Sequence, residues 1–421
     1  MPVRRLPVRP DLDQLKRQAK ELLRDLHSGD VSAVAELREW HPDPVDPALA
    51  KLSDAQLVLS RSYQASSWPR LVQSVELADA IWRDDVEAVR SLVAGNPTLV
   101  HEHVLMRTDS HWGPPMTYAA NLGRDAIIRL LRDRGATDLE SAGARAALQG
   151  QVETAKMIYD LAGRPPLYDG ALGGPAYTLN VDGSALLLTL GAPLHDGTGC
   201  PAEVVLQTDG RNPAAKHAIL ELYAKHGLAL PDTPTMALHR GRIDLLEEHL
   251  RRDPSLLTRT FSHREIYPAE LGCGDAIDAV TGTPLDGTTL LHMCVEYDEL
   301  EIGRWLLDRG MSPNVRAAVG RSGFGGYTPL FNTVVSLPNF WMNYGKRGPF
   351  AAPFAALLLE RGADPNIRAS LWKRLSPGHD DSRTRHDYRD VTPLSWGRRF
   401  HQPIFVSEPA LRLIEAAGGV E

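Results

Sequence analysis

Apolar residues recur three and four positions apart along most of the chain, and this spacing predicts amphipathic helices. In the first such segment Leu15, Leu22 and Leu26 share one helical face. The proline-rich residues 41–47 must form a loop, because proline fixes φ and removes a backbone donor. Residues 53–56, Ser-Asp-Ala-Gln, form a capping-box pattern and open a further helix. Helices joined by loops therefore dominate the predicted structure.

A self-similar pattern with a period of about 33 residues runs through the rest of the chain. Each clear copy opens with Thr-Pro-Leu or a variant of it and closes with a leucine-rich helix that ends in glycine. Threonine caps the first helix, proline fits its first turn, and glycine accepts the left-handed conformation that ends the second helix. The openings are residues 115–120, 289–292, 328–330 and 392–394, and the closes are residues 127–136, 305–314, 357–366 and 413–418.

These residues resemble the ankyrin repeat, which opens with T-P-L-H-x-A and closes with L-L-x-x-G-A-D-x-N. Degenerate copies extend the resemblance over roughly residues 77–420. The resemblance implies an all-α ankyrin-repeat solenoid with long inter-repeat finger loops, in which each unit packs against its neighbours. It also implies that a protein partner binds to the concave face and to the fingers.

The repeat frame predicts how the chain is divided. Residues 1–76 form an N-terminal helical cap, since the bare end of a repeat array would expose apolar faces to water. Residues 77–230 form a first ankyrin sub-array, and residues 231–421 form a second one with long loop insertions. This division rests on residues 96–100 and 253–257, which share a variant close and are each followed by a long loop.

Composition restricts the expected partners. The net charge is −7, so the basic excess that phosphate binding requires is missing and nucleic acid is not an expected partner. The sequence has no apolar run approaching the roughly 18 residues that cross a bilayer, and residues 1–10 lack the apolar core of a signal peptide. These features predict a cytoplasmic protein without membrane contact. Arginine carries most of the positive charge, which is typical of GC-rich bacterial genomes.

Two long fingers hold the residues best suited to chemistry. Residues 101–112 contain a His-x-His pair, which on an extended segment points both rings to one side and can begin a metal site. Residues 258–286 add histidine, acidic residues and Cys273. If the fingers close over a small molecule, the candidate catalytic residues are His103, Asp109, His111, His263, Glu265 and Asp275.

The same residues have an ordinary structural interpretation. The fingers are then solvated loops, Cys273 is inert, and His292 hydrogen-bonds backbone between units from the consensus T-x-L-H position. The cysteines are odd in number and widely spaced, so neither a disulfide framework nor a zinc ribbon is expected, and we expect no metal and no cofactor. The sequence has no Gly-x-Ser-x-Gly, P-loop, dinucleotide glycine motif or His-Glu-x-x-His. The glycine-rich residues 320–326 predict a finger turn.

Aromatic residues in and beside the fingers are the predicted binding residues, because aromatic rings bury much area with little loss of entropy. The candidates are Trp112, Tyr118, Tyr267, Trp341, Tyr344 and Trp372. The insertion over residues 334–350 either presents its aromatics to a partner or covers the array's own helices, and the charged residues 370–390 predict a solvated finger. We therefore predict a binding or scaffold protein that recognises a protein partner. The alternative is an enzyme or small-molecule-binding protein with a pocket built from the fingers.

Overall fold

The computed structural model describes residues 3–195, 199–275, 282–343, 348, 350–375 and 384–421. These residues are mainly helical, with one small sheet. The α-helices are α1 Leu12–His27, α2 Val31–Trp40, α3 Leu52–Ser62, α4 Trp68–Trp82, α5 Val86–Gly95, α6 Pro115–Asn121, α7 Asp125–Asp133, α8 Leu139–Leu148, α9 Val152–Leu161, α10 Gly173–Tyr177, α11 Val181–Thr189, α12 Pro201–Gln207, α13 Pro213–Lys225, α14 Pro234–His239, α15 Ile243–Arg252, α16 His263–Ile266, α17 Leu290–Tyr297, α18 Leu300–Asp308, α19 Pro329–Val334, α20 Pro353–Glu360, α21 Pro393–Arg399 and α22 Glu408–Ala416. The strands are β1 Ala369–Lys373 and β2 His386–Val391, and 3₁₀ turns lie at Pro47–Leu49, Pro97–Val100, Pro254–Leu257, Ala269–Leu271, Leu337–Asn339, Trp341–Asn343 and Pro403–Phe405.

The helix ends follow the repeat chemistry that the sequence predicts. Thr233 and Thr392 cap α14 and α21, where their side chains accept backbone N–H groups of the first turn and a proline follows directly. Gly310 ends α18 with a φ of 94°, and Gly362 ends α20 with a φ of 87°. A side chain would strain this left-handed conformation, so glycine sets the point at which each second helix stops.

The chain forms two compact units, Met1–Pro166 and Leu167–Glu421, which are described separately. In the first unit, α1, α2 and α3 enclose an apolar core that includes Leu22, Leu26 and Leu37. The pairs α4–α5, α6–α7 and α8–α9 follow, and α6 packs between α4 and α8. Helix α4 crosses the cap boundary predicted at residue 76 and pairs with α5 in the manner of a repeat.

The second unit repeats this arrangement of helix pairs, from α10–α11 to α21–α22. Helix α17 packs against α14 and α19, and α19 packs against α21, so first helices lie beside first helices. The predicted all-α fold class is confirmed. The sub-array division predicted between residues 230 and 231 falls in the loop before α14 and stays a prediction.

The described parts of the finger over residues 369–391, which are residues 369–375 and 384–391, differ from the solvated loop that its charge predicted. Strands β1 and β2 pair antiparallel, with Leu371 opposite Tyr388. Side chains alternate between buried and half-buried along β1, and Leu371 and Lys373 lie inside. The charged residues Asp387, Arg389 and Asp390 of β2 are exposed, whereas Lys373 of β1 is buried, so the count of charges does not reveal the paired strands.

The second unit also buries a network of charged side chains. Arg211 Nε donates to the Glu296 carbonyl at 2.8 Å, and the guanidinium lies 3.7 Å from the Glu296 carboxylate. Lys216 Nζ pairs with the Glu299 carboxylate at 2.7 Å. The Arg211 and Lys216 cations lie 4.7 and 4.3 Å from the centroid of the Tyr297 ring. Buried charges are tolerated only when they are paired, so these contacts constrain how α13 meets α17 and α18.

Glu296 makes the stability of the fold depend on pH. Burial raises the pKa of Glu296 to about 7 from the model-compound value of 4.5, although Arg211 opposes the shift. Between these values the folded chain holds a proton that the unfolded chain has lost, so stability falls as pH rises through this window. We expect Glu296→Gln to match the wild type near pH 5 and to lose less stability by pH 8, as measured by urea unfolding across that range. Glu301→Gln, at an exposed position on α18, is the control, and parallel pH profiles for wild type and Glu296→Gln would contradict the assignment.

Candidate finger groove

Neighbouring fingers of the second unit are joined by backbone hydrogen bonds. Ala318 N donates to the Gly287 carbonyl at 2.7 Å, and Gly325 N donates to the Ser370 carbonyl at 2.7 Å. Residues 284–287, 318–327 and 370–372 together line an open groove of about 260 Å³, which we call the finger groove. The fingers therefore form one connected surface rather than separate loops.

Glycine allows the middle finger to close. Gly325 has a φ of 125°, and a Cβ atom there would lie 1.9 Å from the Ala318 carbonyl oxygen. Gly320 N donates to the Phe324 carbonyl at 2.8 Å across the tip of the same finger. The finger turn predicted for residues 320–326 is thus confirmed, and the close approach of backbone explains the glycine at position 325.

Two aromatic side chains line one side of the finger groove, and two arginines lie at its edge. Phe324 and Trp372 belong to the lining. The Arg385 guanidinium lies 4.7 Å from the Trp372 ring centroid and 5.0 Å from that of Phe324, and Arg389 lies 4.3 Å from that of Phe324. The side chains of Arg385 and Arg389 are 48% and 62% exposed. This edge therefore presents cations stacked on aromatic faces, a combination that suits protein recognition.

The other side of the finger groove is polar and already hydrogen-bonded. The Tyr327 hydroxyl donates to the Pro284 carbonyl at 2.8 Å, and burial raises the pKa of Tyr327. The Asp286 carboxylate accepts the backbone N–H of His263 at 2.7 Å. Asp286 is the one carboxylate, and histidine is absent, among the described residues that line the groove.

The candidate catalytic residues of the second unit each serve a local structural contact. His263 Nε2 donates to the Gly274 carbonyl at 2.8 Å. Glu265 accepts the Ser262 N–H at 2.8 Å and pairs with Arg259 at 2.7 Å, and although burial alone raises the pKa of Glu265, these hydrogen bonds lower it. Asp275 pairs with Arg264. Each of these three side chains therefore contacts different partners, and these contacts do not join them to one another.

The candidate catalytic residues of the first unit lie along an irregular finger. Asp109 lies 3.2 Å from Arg5 and 3.3 Å from Arg107. His103 is half-buried and His111 is exposed. Within the described residues, no group of three or more histidine, cysteine, aspartate or glutamate side chains has a geometry that could hold a metal ion.

The candidate aromatic anchors have different environments. Tyr118 is 0% exposed and its hydroxyl donates to the Val8 carbonyl at 2.6 Å, whereas Tyr267 is 1% exposed and lies 2.6 Å from the Tyr297 hydroxyl. Neither ring is open to a partner in this structure. Trp112 is half-buried beside Tyr118, with their ring centroids 5.0 Å apart. Tyr344 and the side chain of Trp341 lie outside the described residues.

The insertion after α19 packs on its own unit where the structure describes it. Phe340 stacks on Phe405 with ring centroids 5.6 Å apart. Asn339 Nδ2 donates to the carbonyls of Val334 and Phe405, at 3.2 and 3.1 Å. These contacts favour the interpretation in which the insertion covers the array's own helices.

The predicted structural histidine is confirmed. His292 is fully buried, its Nε2 donates to the Tyr327 carbonyl at 3.1 Å, and its Nδ1 lies 2.9 Å from the Thr289 hydroxyl. Burial lowers the pKa of His292 to about 4, so the ring is neutral near pH 7. The sequence does not identify Phe324, Arg385 and Arg389 as residues of the candidate site, although Phe324 is the one aromatic residue of the glycine-rich turn.

Residues 286–318 match the family model of the ankyrin repeat, and this segment contains α17 and α18. The repeat that the sequence predicts at these residues is therefore an ankyrin repeat. Among solved structures, the chain is similar to the ankyrin repeat domain of human ASB11, with 13% identity over 73% of this chain and 99% of that one and a TM-score of 0.27. It is also similar to the ankyrin repeat domain of Bcl-3, described as a unique member of the IkappaB protein family, with 18% identity over 67% of this chain and 99% of that one and a TM-score of 0.23.

No curated protein sequence matches the chain significantly. No helix among the described residues is long and apolar enough to cross a membrane.

The buried thiols allow a direct test of whether Cys273 is inert or could act as a nucleophile. Cys200, Cys273 and Cys294 are all buried, and burial raises the pKa of Cys273 to about 12. A thiol held protonated and inaccessible reacts slowly, so we expect the folded chain to show almost no reaction with a thiol-specific chromogenic reagent at pH 8. The same chain in denaturant is the control and should titrate three thiols. Rapid modification of Cys273 in the folded chain, located by peptide mapping, would contradict this assignment.

Proposed function

We propose that the chain binds a protein partner through the finger groove of its second unit. Ankyrin repeats are typically protein-interaction modules, and the repeat of residues 286–318 supplies part of the groove. The observation that carries the proposal is the pair of lining aromatics, Phe324 and Trp372, beside the exposed arginines Arg385 and Arg389. Tryptophan and arginine are enriched among the residues that dominate interface energies.

The connected fingers support this proposal energetically. Binding to a flexible loop costs conformational entropy, which subtracts from the affinity. The hydrogen bonds from Ala318 to Gly287 and from Gly325 to Ser370 hold the fingers together before a partner arrives. The groove is thus organised in advance, and more of its contact energy contributes to binding.

The groove also indicates the chemistry of the partner segment. Its volume of about 260 Å³ accommodates one or two side chains rather than a folded domain. An apolar or aromatic side chain fits against Trp372 and Phe324, and a neighbouring carboxylate reaches Arg385 or Arg389. We therefore expect an extended partner segment that combines an apolar anchor with an acidic residue.

An enzyme or a small-molecule-binding protein is the less supported function. Acid–base catalysis requires two groups within hydrogen-bonding reach of the reacting atoms. Asp286 is the one carboxylate among the described lining residues, and its oxygen already accepts a backbone N–H. The candidates His263, Glu265 and Asp275 are each bound in local contacts, so the groove lacks the pair that such chemistry needs.

Trp372→Ala tests the proposed function. The full chain is immobilised, exposed to an extract of its native host, and the captured proteins are quantified by mass spectrometry. We expect recovery of the partner to fall about tenfold or more, because truncating an interface tryptophan costs about 2 kcal/mol or more. The matched control is Trp305→Ala on α18, a half-buried tryptophan that stacks with Arg309 at 5.3 Å and lies outside the groove. Equal capture by both variants, or no specific capture by a folded wild type, would overturn the proposal.

A further inference from the structure

The described segment before α1 lies extended along the first unit rather than standing free. Arg4 N donates to the Ser62 carbonyl at 2.8 Å, at the end of α3. Leu6 is 4% exposed and Pro10 is buried, although the residues between and around them are more exposed. Alternation of buried apolar anchors with exposed residues is how an extended peptide binds a protein surface.

The surface below this segment is aromatic. The Tyr118 hydroxyl donates to the Val8 carbonyl at 2.6 Å. The Arg9 guanidinium lies 5.4 Å from the Trp82 ring centroid, and Trp112 lies between Trp82 and Tyr118 at centroid distances of 6.3 and 5.0 Å. Helices α4 and α6 and the finger before α6 thus contribute one aromatic side chain each to a continuous surface.

The charges of the segment and of this surface are complementary. Arg4 pairs with Glu36 at 2.9 Å, Arg5 with Asp109 at 3.2 Å, and Arg9 with Asp79 at 3.8 Å. The three carboxylates come from α2, from the finger over residues 101–112 and from α4. Each arginine of the segment therefore meets an acidic group from a different part of the unit, as a ligand would.

The segment is held by contacts that another peptide can replace. The Arg5 and Arg9 side chains are more than half exposed in their ion pairs, and exposed pairs contribute little to stability individually. An open groove of about 580 Å³ lies between residues 9–13 and α4, which contributes Val75, Glu76 and Asp79 to its lining. The surface thus extends beyond the part that the segment covers.

We propose that this surface of the first unit is a second recognition site, specific for an extended, arginine-containing peptide segment, and that residues 4–10 occupy it within the chain. The proposal goes beyond the finger groove, because it concerns the other unit and a ligand of opposite charge. A partner segment with the same spacing of arginine and apolar residues displaces residues 4–10. The tethered segment competes at a high effective concentration, which sets the affinity that an incoming peptide must reach.

The test uses a fluorescently labelled peptide with the sequence of residues 3–11, titrated into the full chain and followed by anisotropy. The double substitution Arg5→Ala/Arg9→Ala weakens the binding of residues 4–10 to the surface and leaves the carboxylates of the site unchanged. Arg17→Ala/Arg24→Ala is the control, since it removes the same charge from exposed positions of α1. We expect the peptide to bind the first variant about tenfold or more tightly than it binds the wild type or the control. A peptide with glutamine at the three arginine positions should not bind.

A further substitution separates specific recognition from general loosening of the unit. Asp79→Asn, added to Arg5→Ala/Arg9→Ala, removes the carboxylate that faces Arg9 and should weaken peptide binding again. Circular dichroism checks that every variant is folded. The proposal would be overturned if the peptide did not bind the folded first variant, or bound it no more tightly than the wild type and the control. It would also be overturned if the affinity did not depend on the peptide's arginines or on Asp79.

Discussion

Hydrogen bonds from buried helix side chains to finger backbone are the interaction on which this repeat array depends. His292 Nε2 donates to the Tyr327 carbonyl at 3.1 Å, and His239 Nε2 donates to the Ile266 carbonyl at 3.1 Å. In the first unit, the Ser74 hydroxyl donates to the Val104 carbonyl at 2.9 Å. Buried finger carbonyls need hydrogen-bond partners, because a buried carbonyl left without one is costly. The side chains of the first helices supply those partners and fix the fingers where they leave the stack.

This arrangement places polar and charged groups inside the second unit. Burial lowers the pKa of His239 and His292, so both rings are neutral near pH 7 and donate without the cost of a buried charge. Arg211 and Lys216 instead remain close to carboxylates and to the Tyr297 ring. Removing one member of such a pair leaves the other buried and unpaired, which is more damaging than replacing both. These buried ion pairs therefore determine which helices pack together, and the geometry of the finger groove depends on that packing.

The sequence predicts the features that depend on neighbours along the chain. Thr-Pro openings, the glycines that end second helices, His292 and the turn over residues 320–326 are set by local backbone chemistry, and all of them appear in the structure. It does not predict the strands β1 and β2, because the segment is rich in charge and its buried positions, which include Lys373, follow no regular apolar alternation. Nor does it place Arg385 beside Trp372 and Phe324, since the first contact joins distant positions of one finger and the second joins different fingers. Tyr267 is aromatic and lies in a long finger, yet it is buried, because exposure depends on packing that one sequence does not reveal.

Native-state hydrogen exchange of the full chain tests most directly whether the fingers form one organised surface. The amides of Ala318 and Gly325 donate from one finger to the next. We expect Ala318 and Gly325 to exchange on the timescale of amides within α17 and α19, because the hydrogen bonds of the buried side chains must break before the fingers separate. Exchange of Ala318 and Gly325 as fast as unstructured peptide, while the helices remain protected, would contradict it.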